Sequence, residues 1–151
     1  MAFALGAGYA GVSAYWGLGG TYLLSTVGGQ LGQQARDGSA SSLVLVWAAA
    51  LVKLVAALLP LATIRLAGWP SRRWARALSW IEAATLTAYG LVLTVAGLLV
   101  QADVVTASPH ADHRALAWHA FLWDPWFLSW GVLVTIAMVA SQRRDQRVRR
   151  H

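Results

Sequence analysis

Long apolar runs alternate with short polar connections along the chain. Four runs approach the ~20 residues needed to cross a hydrocarbon core of ~30 Å: 3–27, 43–67, 78–100 and 123–140. Each is close to continuously apolar, without the period-two alternation of a half-buried strand, so the pattern predicts helices. The ten-residue alternating segments of an outer-membrane barrel are also missing. The first run is the least hydrophobic and holds Gly6, Gly8, Gly11, Gly17, Gly19 and Gly20. The second contains one charge, Lys53, and the third contains Glu82. The expectation is an all-α fold, a transmembrane four-helix bundle formed by a single domain over 1–151, with a basic tail at 141–151.

Composition strengthens this reading. Hydrophobic residues make up 58% of the 151 positions and charged residues 12%, against about 25% charged in soluble domains. A soluble domain of this size keeps too much surface wet to hide so many apolar side chains. The first twenty residues contain no Lys or Arg, and a cleavage site before a polar chain is not evident. The N-terminus is therefore expected to be a retained helix and not a signal peptide. There is no cysteine, which excludes disulfides, thiolate metal sites and cysteine nucleophiles.

The net charge of +6 is concentrated beside the apolar runs. Nine of the twelve basic residues (Arg65, Arg72, Arg73, Arg76, Arg143, Arg144, Arg147, Arg149 and Arg150) fall on one side of a four-span arrangement. Arg36 and Arg114 fall on the other, and Lys53 lies within a span. The positive-inside rule places the nine, and with them both termini, in the cytoplasm of a multi-pass cell-membrane protein. The lipid bilayer is then the partner, and no nucleic acid is expected. Trp69 and Trp74 would mark the inner interface, and Trp118, Trp123 and Trp126 the outer one.

Intramembrane charge directs attention to Lys53, which sits about mid-span, where an uncompensated charge costs at least ~2.5–3.5 kcal/mol. Glu82 is its expected partner, and Tyr89 continues the face of Glu82. Tyr15, Tyr22, Gly8, Gly11 and Gly19 fall near one face of the first helix. That face suits close helix packing or a narrow ligand cleft. Near the fourth span, Asp124 and Pro125 have the chemistry of a helix start, and His119 beside a carboxylate has the chemistry of an acid or base. Lys53, Glu82, Tyr89, Tyr15, His119 and Asp124 are accordingly the candidate ligand-binding residues. His110, Asp112, His113 and His119 do not form a recognised metal-ligand spacing. No metal and no cofactor are expected.

Three segments carry a resemblance. They are Tyr15-Trp16-Gly17-Leu18-Gly19-Gly20-Thr21, Tyr89-Gly90-Leu91 leading to Leu98-Leu99-Val100-Gln101, and the run from Arg114 to Leu128 that contains Trp118-His119-Ala120-Phe121-Leu122-Trp123-Asp124-Pro125-Trp126. With these segments the chain resembles a family of small four-helix membrane proteins found mainly in actinobacteria and known only as a domain of unknown function. The resemblance covers nearly the whole chain. It implies four spans and assigns no reaction.

The residues themselves favour binding or transport of a small molecule or lipid within the bundle. No internal repeat is visible, so a transporter of this size would be expected to act as a homo-oligomer. A membrane-embedded enzyme acting on an isoprenoid or other lipid is the alternative. It would use His119 and Asp124, since H-E-x-x-H and G-x-S-x-G are both absent. An accessory subunit contacting a larger complex through the glycine-rich first helix is a further option.

Overall fold

The computed structural model describes residues 1–28, 39–65, 72–108 and 111–148. Among these there are helices and turns and no strands. Helix α1 spans Ala2–Gly17 and is followed by a short 3-10 turn at Leu24–Thr26. Helices α2 (Ala40–Arg65) and α3 (Arg72–Gln101) come next. Helix α4 (His113–Trp118) continues through a π-helical turn, His119–Trp123, into α5 (Asp124–Val148). The last three elements form one rod, so the bundle has four rods.

Three of them, α2, α3 and the α4–α5 rod, are long and apolar enough to cross a membrane. Their outer surfaces are apolar: Leu51, Val52, Val55 and Leu58 of α2 are exposed, as are Ile81, Val92 and Val95 of α3. The centre is built from smaller and aromatic side chains, with Ala57, Ala83, Trp130, Val134 and Met138 in one cluster. A soluble bundle would place its polar groups outward. Here the outward face suits lipid.

Small residues set the close contacts. A Cβ built on Gly131 would lie 2.6 Å from Thr87 Oγ1, and one on Gly97 would lie 2.9 Å from the Ala120 Cβ. Gly90 similarly faces the backbone of Leu128. These three glycines let α3 and the α4–α5 rod approach backbone to backbone, the packing favoured in lipid. At one end, Arg76 of α3 pairs with Asp145 of α5. Gly6 faces both Ala57 and Trp130, and Gly17 faces Trp47. The rods therefore run up, down, up and down. The start of α1 and the end of α5 lie toward the end that carries Arg65 and Arg76.

The first run of 3–27 is not one helix. It stops at Gly17 in a Schellman motif: Gly20 N–H donates to the Tyr15 carbonyl and Gly19 N–H to the Trp16 carbonyl. Gly19 adopts a φ of 90°, open to a residue without Cβ. Sixteen residues extend about 24 Å, short of the ~30 Å core. The last rod also begins earlier than expected. Asp112 caps α4 by accepting the Ala115 N–H at 3.0 Å, so Asp124 and Pro125 lie inside the rod and do not start it. A proline ring ordinarily clashes with the carbonyl four residues back. The wider π turn just before it, closed by the Asp124 N–H donating to the His119 carbonyl, relieves that crowding.

Other boundaries shift less. The arginine-rich connection expected over 68–77 is helical from Arg72 onward. Trp69, His110, Arg36, Arg149 and Arg150 lie outside the described residues.

Candidate functional site

Between α1, α2 and the α4–α5 rod lies a cavity of about 340 Å³. Its walls follow helical periodicity. Helix α1 contributes Tyr9, Ser13 and Trp16; α2 contributes Ser42, Leu45, Val46, Ala49 and Lys53. The last rod contributes His119, Trp123 and Phe127, and α3 adds Tyr89. Leu24 and Val27, from the irregular segment after α1, complete the wall.

Lys53 supplies the cavity's cationic group. Its Nζ donates to Ser13 Oγ at 2.7 Å and lies 4.0 Å from the centre of the Tyr9 ring, within cation–π range. Tyr9 is in turn fixed edge-on against Phe127, with centroids 4.7 Å apart, and by tilted contacts with Trp123 and Trp126. The expected pairing of Lys53 with Glu82 is not formed: Lys53 is held by Ser13 and Tyr9, and the Glu82 carboxylate has no hydrogen-bond partner among the described residues. Glu82 shares a helix face with Tyr89 but lies two turns away, about 10 Å, toward the Arg76 end. It does not line the cavity, and its carboxylate oxygens are buried without a hydrogen-bond partner.

The second polar cluster holds the irregular segment in place. His119 Nδ1 is 3.2 Å from Asp124 Oδ1, and its Nε2 is 3.0 Å from the Val27 carbonyl. Each ring nitrogen thus faces an oxygen, one on a carboxyl group and one on the backbone. Asp124 is 4% exposed and serves the ring rather than a helix start. Trp123 Nε1 donates to Thr26 Oγ1 at 3.1 Å, and Trp16 Nε1 donates to the Tyr22 carbonyl at 2.8 Å. Non-helical backbone at membrane depth persists where protein groups satisfy it. Trp16 and His119 contact backbone carbonyls directly, and Thr26 Oγ1, which accepts from Trp123, donates to the Leu23 carbonyl. The segment also stores strain: Leu23, a residue with a Cβ, has a φ of 61°, which costs roughly 1–2 kcal/mol.

Of the six residues singled out in the sequence, Lys53, Tyr89 and His119 line the cavity, and Asp124 stands directly behind His119. Tyr15 is on another face, half exposed, with its ring against Gly20. The cavity face of α1 is Tyr9–Ser13–Trp16, which a four-and-three spacing could have revealed. Trp123 and Trp126, expected at the outer interface, instead turn inward. Trp123 is 1% exposed, and Trp126 Nε1 donates to the Leu5 carbonyl at 3.1 Å. Each indole N–H has an internal acceptor, which removes the need for the headgroup region. Among the described residues no three of His, Cys, Asp and Glu converge on a point.

The profile of a family described as a protein of unknown function, DUF3995, matches residues 6–134. The chain belongs to that family. The DUF3995 match takes in every residue of the cavity wall, from Tyr9 to Phe127, and leaves the arginine-rich tail outside. No curated protein and no solved structure gives a significant match.

Proposed function

We propose that this protein is a four-span membrane protein that holds a small molecule or a lipid-derived ligand in the cavity beside Lys53. The observation that carries the reading is the cavity itself: apolar and aromatic walls around one ammonium group. Its volume of about 340 Å³ falls at the low end of the ~300–1,000 Å³ typical of small-molecule sites. Such a volume suits one acyl or prenyl chain, or a compact solute, and is too small for a whole diacyl lipid. In this reading α1 and the segment up to Gly28 together make the first crossing. The end bearing Arg65, Arg76 and Arg147 faces the cytoplasm by the positive-inside rule.

Binding is favoured over transport by the three side-chain hydrogen bonds that fasten the segment after α1. Passage of a ligand would require that segment to move. Extraction of the protein purified in mild detergent, followed by mass spectrometry, tests the reading. A small molecule is expected to accompany the wild-type chain and to be lost from Ala49→Phe, whose ring would occupy the cavity. Identical extracts from the two proteins would refute it. Because the chain has no cysteine, single cysteines introduced at Arg147 and Arg114 report orientation. Labelling of intact cells at position 114 and protection at 147 is the expected outcome.

A further inference from the structure

We infer that the ligand of this cavity is a singly charged anionic amphiphile, a carboxylate on one apolar chain, whose carboxylate sits against Lys53 Nζ and Ser13 Oγ. The inference rests on the proposed binding function and adds the chemical class of the ligand. Lys53 is held by neutral groups only, the Ser13 hydroxyl and the Tyr9 ring. Asp124 is turned to His119, 3.2 Å away, and is not part of the cavity wall. Glu82 lies outside the cavity wall. A charge held away from water and unpaired is costly, and an ion of opposite sign removes that cost.

Ser13 Oγ accepts from Lys53, and its own hydroxyl hydrogen has no acceptor among the described residues. An ammonium and a hydroxyl at 2.7 Å thus present adjacent donors to one anion, and charge-assisted bonds of this kind are the strong ones. A single ammonium balances one negative charge, which matches a carboxylate better than a phosphate dianion. Apart from Ser42, Tyr89 and His119, the rest of the wall, including Trp16, Leu45, Trp123 and Phe127, is apolar or aromatic and accepts a hydrocarbon body. Volume limits that body to one chain.

The experiment is a titration of the detergent-purified full chain, followed by quenching of tryptophan emission by brominated probes. The probes are a bromododecanoate, the matching bromododecanol, and acetate added as a competitor. The carboxylate is expected to bind at least tenfold more tightly than the alcohol. Lys53→Met should remove that preference, so that acid and alcohol bind alike, and Ala49→Phe should abolish both. Acetate should compete weakly, because most of the contact is apolar. Equal binding of acid and alcohol, both blocked by Ala49→Phe, would overturn the anionic assignment and leave the cavity reading standing. Acetate competing as well as the long-chain acid would show that a small free anion is the ligand. Binding of neither probe, or binding unaffected by Ala49→Phe, would overturn the cavity reading and this inference together. Should Lys53→Met fail to fold, Ser13→Ala provides the second measurement, with a loss of severalfold expected for the acid only.

Discussion

Replacing His119 by Phe should unfasten the segment after α1 from the last rod. The loss can be worked out from the contacts. Phenylalanine keeps a ring of similar bulk but offers no donor, so the Asp124 carboxylate and the Val27 carbonyl both lose their partner. Removing one member of a buried ion pair costs about 3–5 kcal/mol. Asp124 is well buried, its side chain only 6% exposed, but the His119 side chain is 37% exposed. Water can therefore reach part of the site, and the expected loss falls to about 2–3 kcal/mol. The double variant His119→Phe/Asp124→Leu removes the orphaned carboxylate and should recover most of this. About 1 kcal/mol would remain for the unpaired Val27 carbonyl. Asp124→Leu alone should cost about 1 kcal/mol, giving a coupling energy of about 2–3 kcal/mol across the cycle. Unfolding in mixed micelles with increasing dodecyl sulfate, followed by tryptophan emission, provides the assay. Additive single losses, with no recovery in the double variant, would refute the claim that these two side chains work as a unit.

Three other outcomes can be measured by the same unfolding assay. Gly131→Val should destabilise by about 1–3 kcal/mol, because a Cβ there meets Thr87 Oγ1 at 2.6 Å; an unchanged midpoint would mean that α3 and α5 are packed less closely. Gly19→Ala should cost about 1–2 kcal/mol, since its φ of 90° closes the Schellman motif; a stabilised variant would contradict the helix stop. Glu82→Leu should leave stability unchanged or raise it by up to about 4 kcal/mol, because its carboxylate oxygens have no partner to lose; marked destabilisation would reveal an essential partner.

The two central helices were legible because their sequences contain one charge each inside long apolar runs, and only a helix can carry such a run through lipid. The ends of the chain were harder. Gly19 reads in the sequence as a helix-packing residue, because glycine serves both packing and termination and composition does not separate the two roles. The π turn at His119–Trp123 adds one residue to a helix and leaves no mark on hydropathy. Without that turn, Asp-Pro reads as a helix start, although both residues lie inside the rod. The Tyr9–Ser13–Trp16 face was missed for a related reason. In lipid, outside and inside are both apolar, so the periodicity that marks a soluble core is muted. Lys53 and Tyr89 could be picked out because charge and a phenol are expensive within a bilayer. Their real neighbours depended on helix depth, which a sequence gives only to within a turn or so, and so Glu82 was paired with Lys53 although it lies too near the other end.

The brevity of α1 bears on biogenesis. A sixteen-residue helix rich in glycine is a poor passenger for lateral release from a translocon, whereas the following twenty-six-residue helix is strongly apolar. The two should enter the bilayer together as a hairpin, the second drawing in the first.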